Sequence, residues 1–97
     1  MIEIPKARIY FLAEAEGGIQ EGFAGMRPSF NINGELILCF VYPLDGHERM
    51  PRGTSHLVRL ELPYGELTNV SSSIMVGAAF HLQLASKVIA KGEILKI

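Results

Sequence analysis

Apolar and polar residues alternate at strand spacing along most of this chain, and turn residues break the alternation at short intervals. His56-Leu57-Val58-Arg59-Leu60-Glu61-Leu62 is the clearest case. Val58, Leu60 and Leu62 are expected to face inward, with Leu57, Arg59 and Glu61 outward. Phe80-His81-Leu82-Gln83-Leu84 repeats the pattern and puts His81 and Gln83 outside. In the last segment, Val88 to Ile97, Lys91 and Glu93 share one face while Ala90, Gly92 and Ile94 share the other. Ala7 to Ala13 is short and rich in β-formers. Glu35 to Tyr42 is apolar at every position after the acid, which predicts cover on both faces.

The connections carry turn chemistry. Asn33-Gly34 is a tight-turn step between apolar runs. In Pro43-Leu44-Asp45-Gly46 the proline fixes φ and Asp-Gly completes the turn. Gly17-Gly18 breaks the first strand, Pro63-Tyr64-Gly65 ends another, and Ser86-Lys87 is a short connection. His47 to Thr54 reads as an exposed loop and Thr68 to Ser73 as a loose polar one. One stretch competes for helix: Val76 to Ala85 holds Ala, Leu and Gln, which favour it. Gly77 near its start and the β-rich flanks favour strand there. Six or seven short strands predict an all-β domain, a small barrel or sandwich.

Ninety-seven residues without a compositional break, repeat or linker predict one domain, residues 1–97. A chain of this size buries about 65% of its unfolded surface, enough for a real core. Nine Lys and Arg against ten Asp and Glu give a net charge of −1, so no bulk field attracts nucleic acid or an anionic membrane. The single cysteine excludes an internal disulfide framework and a cysteine-based zinc site. No apolar run approaches the ~20 residues of a membrane-spanning helix. The opening Met1-Ile2-Glu3-Ile4-Pro5-Lys6 has neither a basic n-region nor an apolar h-region, so a cytoplasmic location is expected.

Several motifs resemble a known domain. Tyr10-Phe11-Leu12, then Glu16-Gly17-Gly18, then Gly25-Met26-Arg27-Pro28-Ser29-Phe30 is similar to the opening of the third domain of elongation factor Tu. Met50-Pro51-Arg52-Gly53-Thr54 stands where that family has a Met-x-Pro-Gly turn. Val76 to Leu82 and Val88 to Ile94 resemble its last two strands. The resemblance runs through nearly the whole chain and implies a closed six-stranded antiparallel Greek-key barrel with no catalytic residues and no cofactor. Its structural motif would be Glu16, Gly17, Gly18, Gly25, Arg27, Pro28 and Phe30. The GTPase part is absent, because no G-x-x-x-x-G-K-[ST] occurs. The family barrel contacts tRNA, its own GTPase domain and an exchange factor. The cations and glycines that lie near RNA in the family are altered here, with Leu84-Ala85-Ser86-Lys87 replacing Arg-Glu-Gly-Gly-Arg and Ile19 replacing an Arg.

Candidate chemistry is sparse. His47, His56 and His81 show no chelating spacing, so no metal site is expected. Cys39 lies in the most apolar run, where an inert buried thiol is the ordinary outcome. Ser71-Ser72-Ser73 lacks a nucleophile elbow, and the only aspartate, Asp45, sits in a turn. Pro28 holds Arg27 extended, and its guanidinium is expected to tie loop carbonyls together. Arg49, Arg52 and Arg59, with His47 and His56, form one cationic cluster, a candidate docking patch for an acidic protein or a phosphate backbone. Mean hydropathy is +0.25, high for a small barrel. Leu57, Ile89, Leu95 and Ile97, with Tyr42 or Tyr64, are candidates for an exposed apolar interface. These features predict a non-enzymatic module that binds a protein or itself, with RNA binding as the alternative.

Overall fold

A computed structural model describes all 97 residues. It contains nine strands: β1 (Ile2–Phe11), β2 (Gly22–Phe23), β3 (Ser29–Ile32), β4 (Glu35–Leu38), β5 (Phe40–Pro43), β6 (Arg49–Met50), β7 (Ser55–Leu62), β8 (Ala79–Leu84) and β9 (Lys87–Lys96). Three single-turn 3-10 helices, Glu14–Glu16, Gly65–Leu67 and Val70–Ser73, are the only helical segments. Seven strands form one curled antiparallel sheet in the order β4-β3-β8-β9-β1-β7-β5, and β2 pairs with β6 beside it. The all-β expectation holds, and the disputed Val76–Ala85 stretch is a turn followed by strand β8.

The two outer strands of the sheet, β4 and β5, are almost one run of chain, with only Cys39 between them. β4 pairs with β3, and β5 pairs with β7. Gly25 and Met26 then bond to Val41 from the opposite side: the Gly25 N–H donates to the Val41 carbonyl at 2.7 Å, and the Val41 N–H donates to the Met26 carbonyl at 3.2 Å. The outer edge of β5 is therefore occupied.

Inside the curl, Ile4, Ala7, Ile9, Phe11, Val58, Leu60, Leu62, Leu82 and Ile94 are fully buried. Phe30 and Phe80 stack with ring centroids 4.7 Å apart. The Phe80 ring lies over Gly92, its partner on β9, so closely that a β-carbon there would sit 2.3 Å from the ring. Glycine at 92 is thus the socket for an aromatic, which compensates for its weak strand preference.

Several expectations need correction, and each has a local cause. β1 begins at Ile2, five residues before the expected start. It continues through Pro5 because its register shifts between Ile4 and Ala7, and a missing N–H is tolerated at a bulge. Gln83 is buried, not outside, and Ile89 is fully buried, not part of an exposed face. Ile89 follows from a bulge: Leu82 faces Ala90 and Gln83 faces Val88, which leaves Ile89 as an extra residue on β9. Gln83 keeps its regular register with β3 and is held by Asn31 and the Ala85 carbonyl. The Ile89 carbonyl turns away to accept the Leu12 N–H at 3.0 Å. Glu35 to Tyr42 is covered on one face only, since Ile37, Cys39 and Val41 are buried while Leu36 is exposed. The two supposed loops are also anchored in the core, by Met50 at the β2–β6 pair and by Val70 in a 3-10 turn.

Asn33 and Gly34 both have positive φ, 51° and 83°, as the tight β3–β4 hairpin requires. Gly18 is needed for a different reason: a β-carbon would lie 1.9 Å from the Leu12 carbonyl oxygen, a backbone atom that no rotamer change can move. Gly17 has open space around it but a φ of +90°. Gly18→Ala is expected to cost about 3 kcal/mol, at the upper end for overpacking. Gly17→Ala is expected to cost about 1 kcal/mol from its left-handed backbone alone. Urea unfolding of the two variants checks the order.

Candidate functional site

The Glu16-Gly17-Gly18 to Phe30 motif wraps one end of the sheet, and each of its residues has a structural partner. The Glu16 carboxylate accepts the Tyr10 hydroxyl at 2.5 Å and the Ala13 N–H at 2.8 Å. Those bonds hold its carboxyl below the usual glutamate range, the Tyr10 bond contributing most. They also raise the Tyr10 phenol, chiefly through the same hydrogen bond. The Gly18 carbonyl accepts Arg52 Nη1 at 3.0 Å, which ties the first loop to the turn before β7. The Pro28 carbonyl accepts the Cys39 N–H at 3.1 Å. Arg27 does not gather loop carbonyls as expected; its guanidinium lies 5.2 Å from the centre of the Phe40 ring.

The three arginines of the candidate docking patch are each engaged within the chain. Arg49 Nε donates to Glu21 at 2.8 Å. Arg52, besides holding Gly18, lies 3.9 Å from Glu14. Arg59 pairs with Glu61 on the same face of β7, and its guanidinium stacks 4.5 Å from the centre of the Tyr42 ring. Arg8 meets Glu93 at 3.5 Å, so every arginine of the chain has a carboxylate or ring partner. Exposed pairs of this kind add little stability. Their consequence is that the local charge is largely neutralised.

The histidines stand apart. His47 Nδ1 lies 3.1 Å from Asp45, whose carboxylate also accepts the His47 N–H and is held below its ordinary pKa chiefly by that bond. His56 Nε2 shares a hydrogen bond with Thr54 at 2.6 Å and packs its ring edge-on to Phe11. His81 lines a shallow cleft of about 330 Å³ with Asn31, Asn33, Gly34, Ala79 and Phe80. No three His, Cys, Asp or Glu side chains converge as metal ligands would. Cys39 is fully buried, and burial pushes its thiol up to about 12. Beside the cleft, the buried Gln83 side chain accepts from the Asn31 amide at 2.6 Å and donates to the Ala85 carbonyl at 3.2 Å. Its burial is therefore satisfied.

What the surface does present is apolar. Of the expected face, Leu57 and Ile97 are exposed and Leu95 half-buried, whereas Ile89 belongs to the core. Leu44 is exposed beside Leu57, its N–H donating to the Leu57 carbonyl at 2.9 Å. Ile19, Phe23, Leu36, Leu67, Met75 and Val76 are exposed as well, and pattern reading did not single them out. Leu36 carried a usable signal, since it alternates with the inward Ile37. No protein-family model matches the chain, and no curated protein matches it in sequence. No helix is long and apolar enough to cross a membrane.

Two outcomes are expected from this geometry. With its neutral thiol in the core, Cys39 should react with a thiol reagent at neutral pH only after denaturant is added; rapid labelling of the native protein would refute its burial. Glu16 titrates below its ordinary 4.5 in the folded chain, so its bonds contribute stability that is fully present above 4.5 and lost as pH falls through the lower folded value. Tyr10→Phe should therefore be less stable than wild type near neutrality, with the gap narrowing in acid, as read by denaturant unfolding at a series of pH values.

Proposed function

We propose that this chain is a non-enzymatic interaction module, a closed barrel of the elongation factor Tu third-domain type that works by binding protein. Closure is supported by the near-continuity of β4 and β5 and by the bonds from Gly25 and Met26 to Val41. Counting β4 and β5 as one strand bent at Cys39 leaves six strands around the curl. The Glu16-to-Phe30 motif acts as the strap that covers the β5 side.

The observation that carries the protein-binding reading is the surface inventory. Eleven large apolar side chains are exposed, while every arginine is already partnered within the chain. Apolar surface gains free energy by leaving water, and protein is the partner that removes it. An RNA surface favours the opposite allocation, with guanidinium groups free for phosphates and open aromatic faces for bases. The cations left without an ion pair are lysines on β1 and β9. Here Tyr42 and Phe40 carry guanidinium groups on their rings.

The test is a photo-crosslinking side chain introduced separately at Leu36, at Leu57 and at Leu67, irradiated in cells. A ribonuclease-resistant adduct of discrete mass is expected. A ribonuclease-sensitive smear from any of the three positions, or no adduct from all of them, overturns the reading.

A further inference from the structure

We infer that the free edge of β4 pairs with β4 of a second copy of this chain, forming a twofold antiparallel strand junction centred on Ile37. This deepens the protein-binding reading and rests on it, by naming the partner and the surface.

Four observations carry the inference. β4 is an outer strand of the sheet and pairs only with β3. In an antiparallel ladder the hydrogen-bonding residues alternate, and Glu35 and Ile37 face β3 across the tight hairpin and its next bonded pair. The Cys39 N–H continues that series to Pro28. The peptide groups of Leu36 and Leu38 therefore point to the other side, and neither makes a backbone or side-chain hydrogen bond within the chain.

The neighbouring edge does not share this condition. On that side β5 has β7, which pairs with Phe40 to Pro43 and stops short of β4, while Gly25 and Met26 lie on the opposite side and lead into β3. Unpaired edges are usually blunted by lysine, proline or a charge on the strand. β4 reads Glu35-Leu36-Ile37-Leu38, with its one charge at the end.

A second copy is the occupant that this edge fits. Rotating β4 about a twofold axis at Ile37 sets Leu36 opposite Leu38 of the other copy, and Leu38 opposite Leu36. That register alone uses all four outward peptide groups of each strand, both N–H and both C=O. It also brings the outward leucine side chains into cross-strand pairs on one continuous face, and Leu36 is 55% exposed in the single chain. Glu35 falls opposite Cys39 rather than opposite its own equivalent, so no like charges face each other directly. A net charge of −1 adds little repulsion between copies. The contact is isologous, so it closes at two and does not propagate. Four residues bury little area, which makes the association concentration-dependent rather than obligate.

Sedimentation velocity over a concentration series, together with amide hydrogen exchange, tests this. Wild type should move from the monomer mass of 10.7 kDa to twice that mass as concentration rises. The Leu36 and Leu38 amides should exchange more slowly in the same range, while exposed loop amides stay unchanged. Leu36→Pro removes an outward N–H that the β3 ladder does not use, and Leu36→Lys places a charge on the edge; both should remain monomeric. Their circular dichroism should match wild type, and if the proline variant unfolds the lysine variant decides. Leu57→Lys, on a different strand, should dimerise like wild type. A wild type that stays monomeric throughout, or Leu36 and Leu38 amides insensitive to concentration, overturns the inference and leaves the protein-binding reading standing with another partner. Loss of dimer in Leu57→Lys but not in the Leu36 variants also overturns it, by moving the contact elsewhere. A ribonuclease-sensitive crosslink, by contrast, fails the protein-binding reading itself.

Discussion

A sheet edge exposes backbone donors and acceptors that must be satisfied, and this small protein is organised around that requirement. Its curled sheet meets the demand at β5 with a strap, the Gly25–Met26 backbone, drawn across Val41. The strap is positioned by the loop before it. Glu16 pins that loop to Tyr10 and Ala13, and Arg52 grips its Gly18 carbonyl. The conformations of Gly17 and Gly18 are set by the same need, since one is left-handed and the other is pressed against the Leu12 carbonyl. Most of what looks like a recognition motif between residues 16 and 30 is explained by edge coverage and core packing.

The same loop chemistry decides the fate of the cations. A guanidinium can hold a carbonyl, stack on a ring or meet a phosphate, and its planar fork commits it to few partners at a time. In this chain Arg52 holds a carbonyl, Arg27 and Arg59 lie over rings, and Arg49 and Arg8 face carboxylates. Four lysines, Lys6, Lys87, Lys91 and Lys96, are left without a partner on the surface, as are apolar side chains on several strands and loops. That distribution favours contact with protein, where burial of aliphatic surface is the gain.

Much of the architecture was legible in the residues because one-sided strands obey a period of two. β7 is the plain example, with Val58, Leu60 and Leu62 buried as their spacing predicts. The hairpin at Asn33-Gly34 was legible from turn chemistry, and the burial of Cys39 from its apolar neighbours. Ile89 was not, because a single extra residue reverses the parity of a strand without leaving a compositional trace. Gln83 was not, because its partners Asn31 and the Ala85 carbonyl meet it only in the folded sheet. Met50 and Val70 were missed for another reason: a lone apolar residue in a polar segment has no period to read. The partners of Arg49 and Arg52 were not legible, since Glu21 and Glu14 reach them only through the fold, whereas Arg59 and Glu61 share a face of β7 by their spacing alone.

The difference between β4 and β5 shows why the unpaired edge of β4 could not be read from local pattern. The two strands are consecutive and similarly apolar, and one residue, Cys39, separates them. Yet β5 lies between β7 and the strap, whereas β4 has β3 alone. The asymmetry arises because β7 ends at Leu62, just past Glu61, which faces Phe40. Pro63 follows, and it lacks the N–H that another rung of the ladder would need. The chain then turns into the 3-10 helix at Gly65–Leu67 instead of running on beside β4. A proline that stops one strand thus leaves the peptide groups of another without partners, and Leu36 and Leu38 are the residues on which that consequence falls.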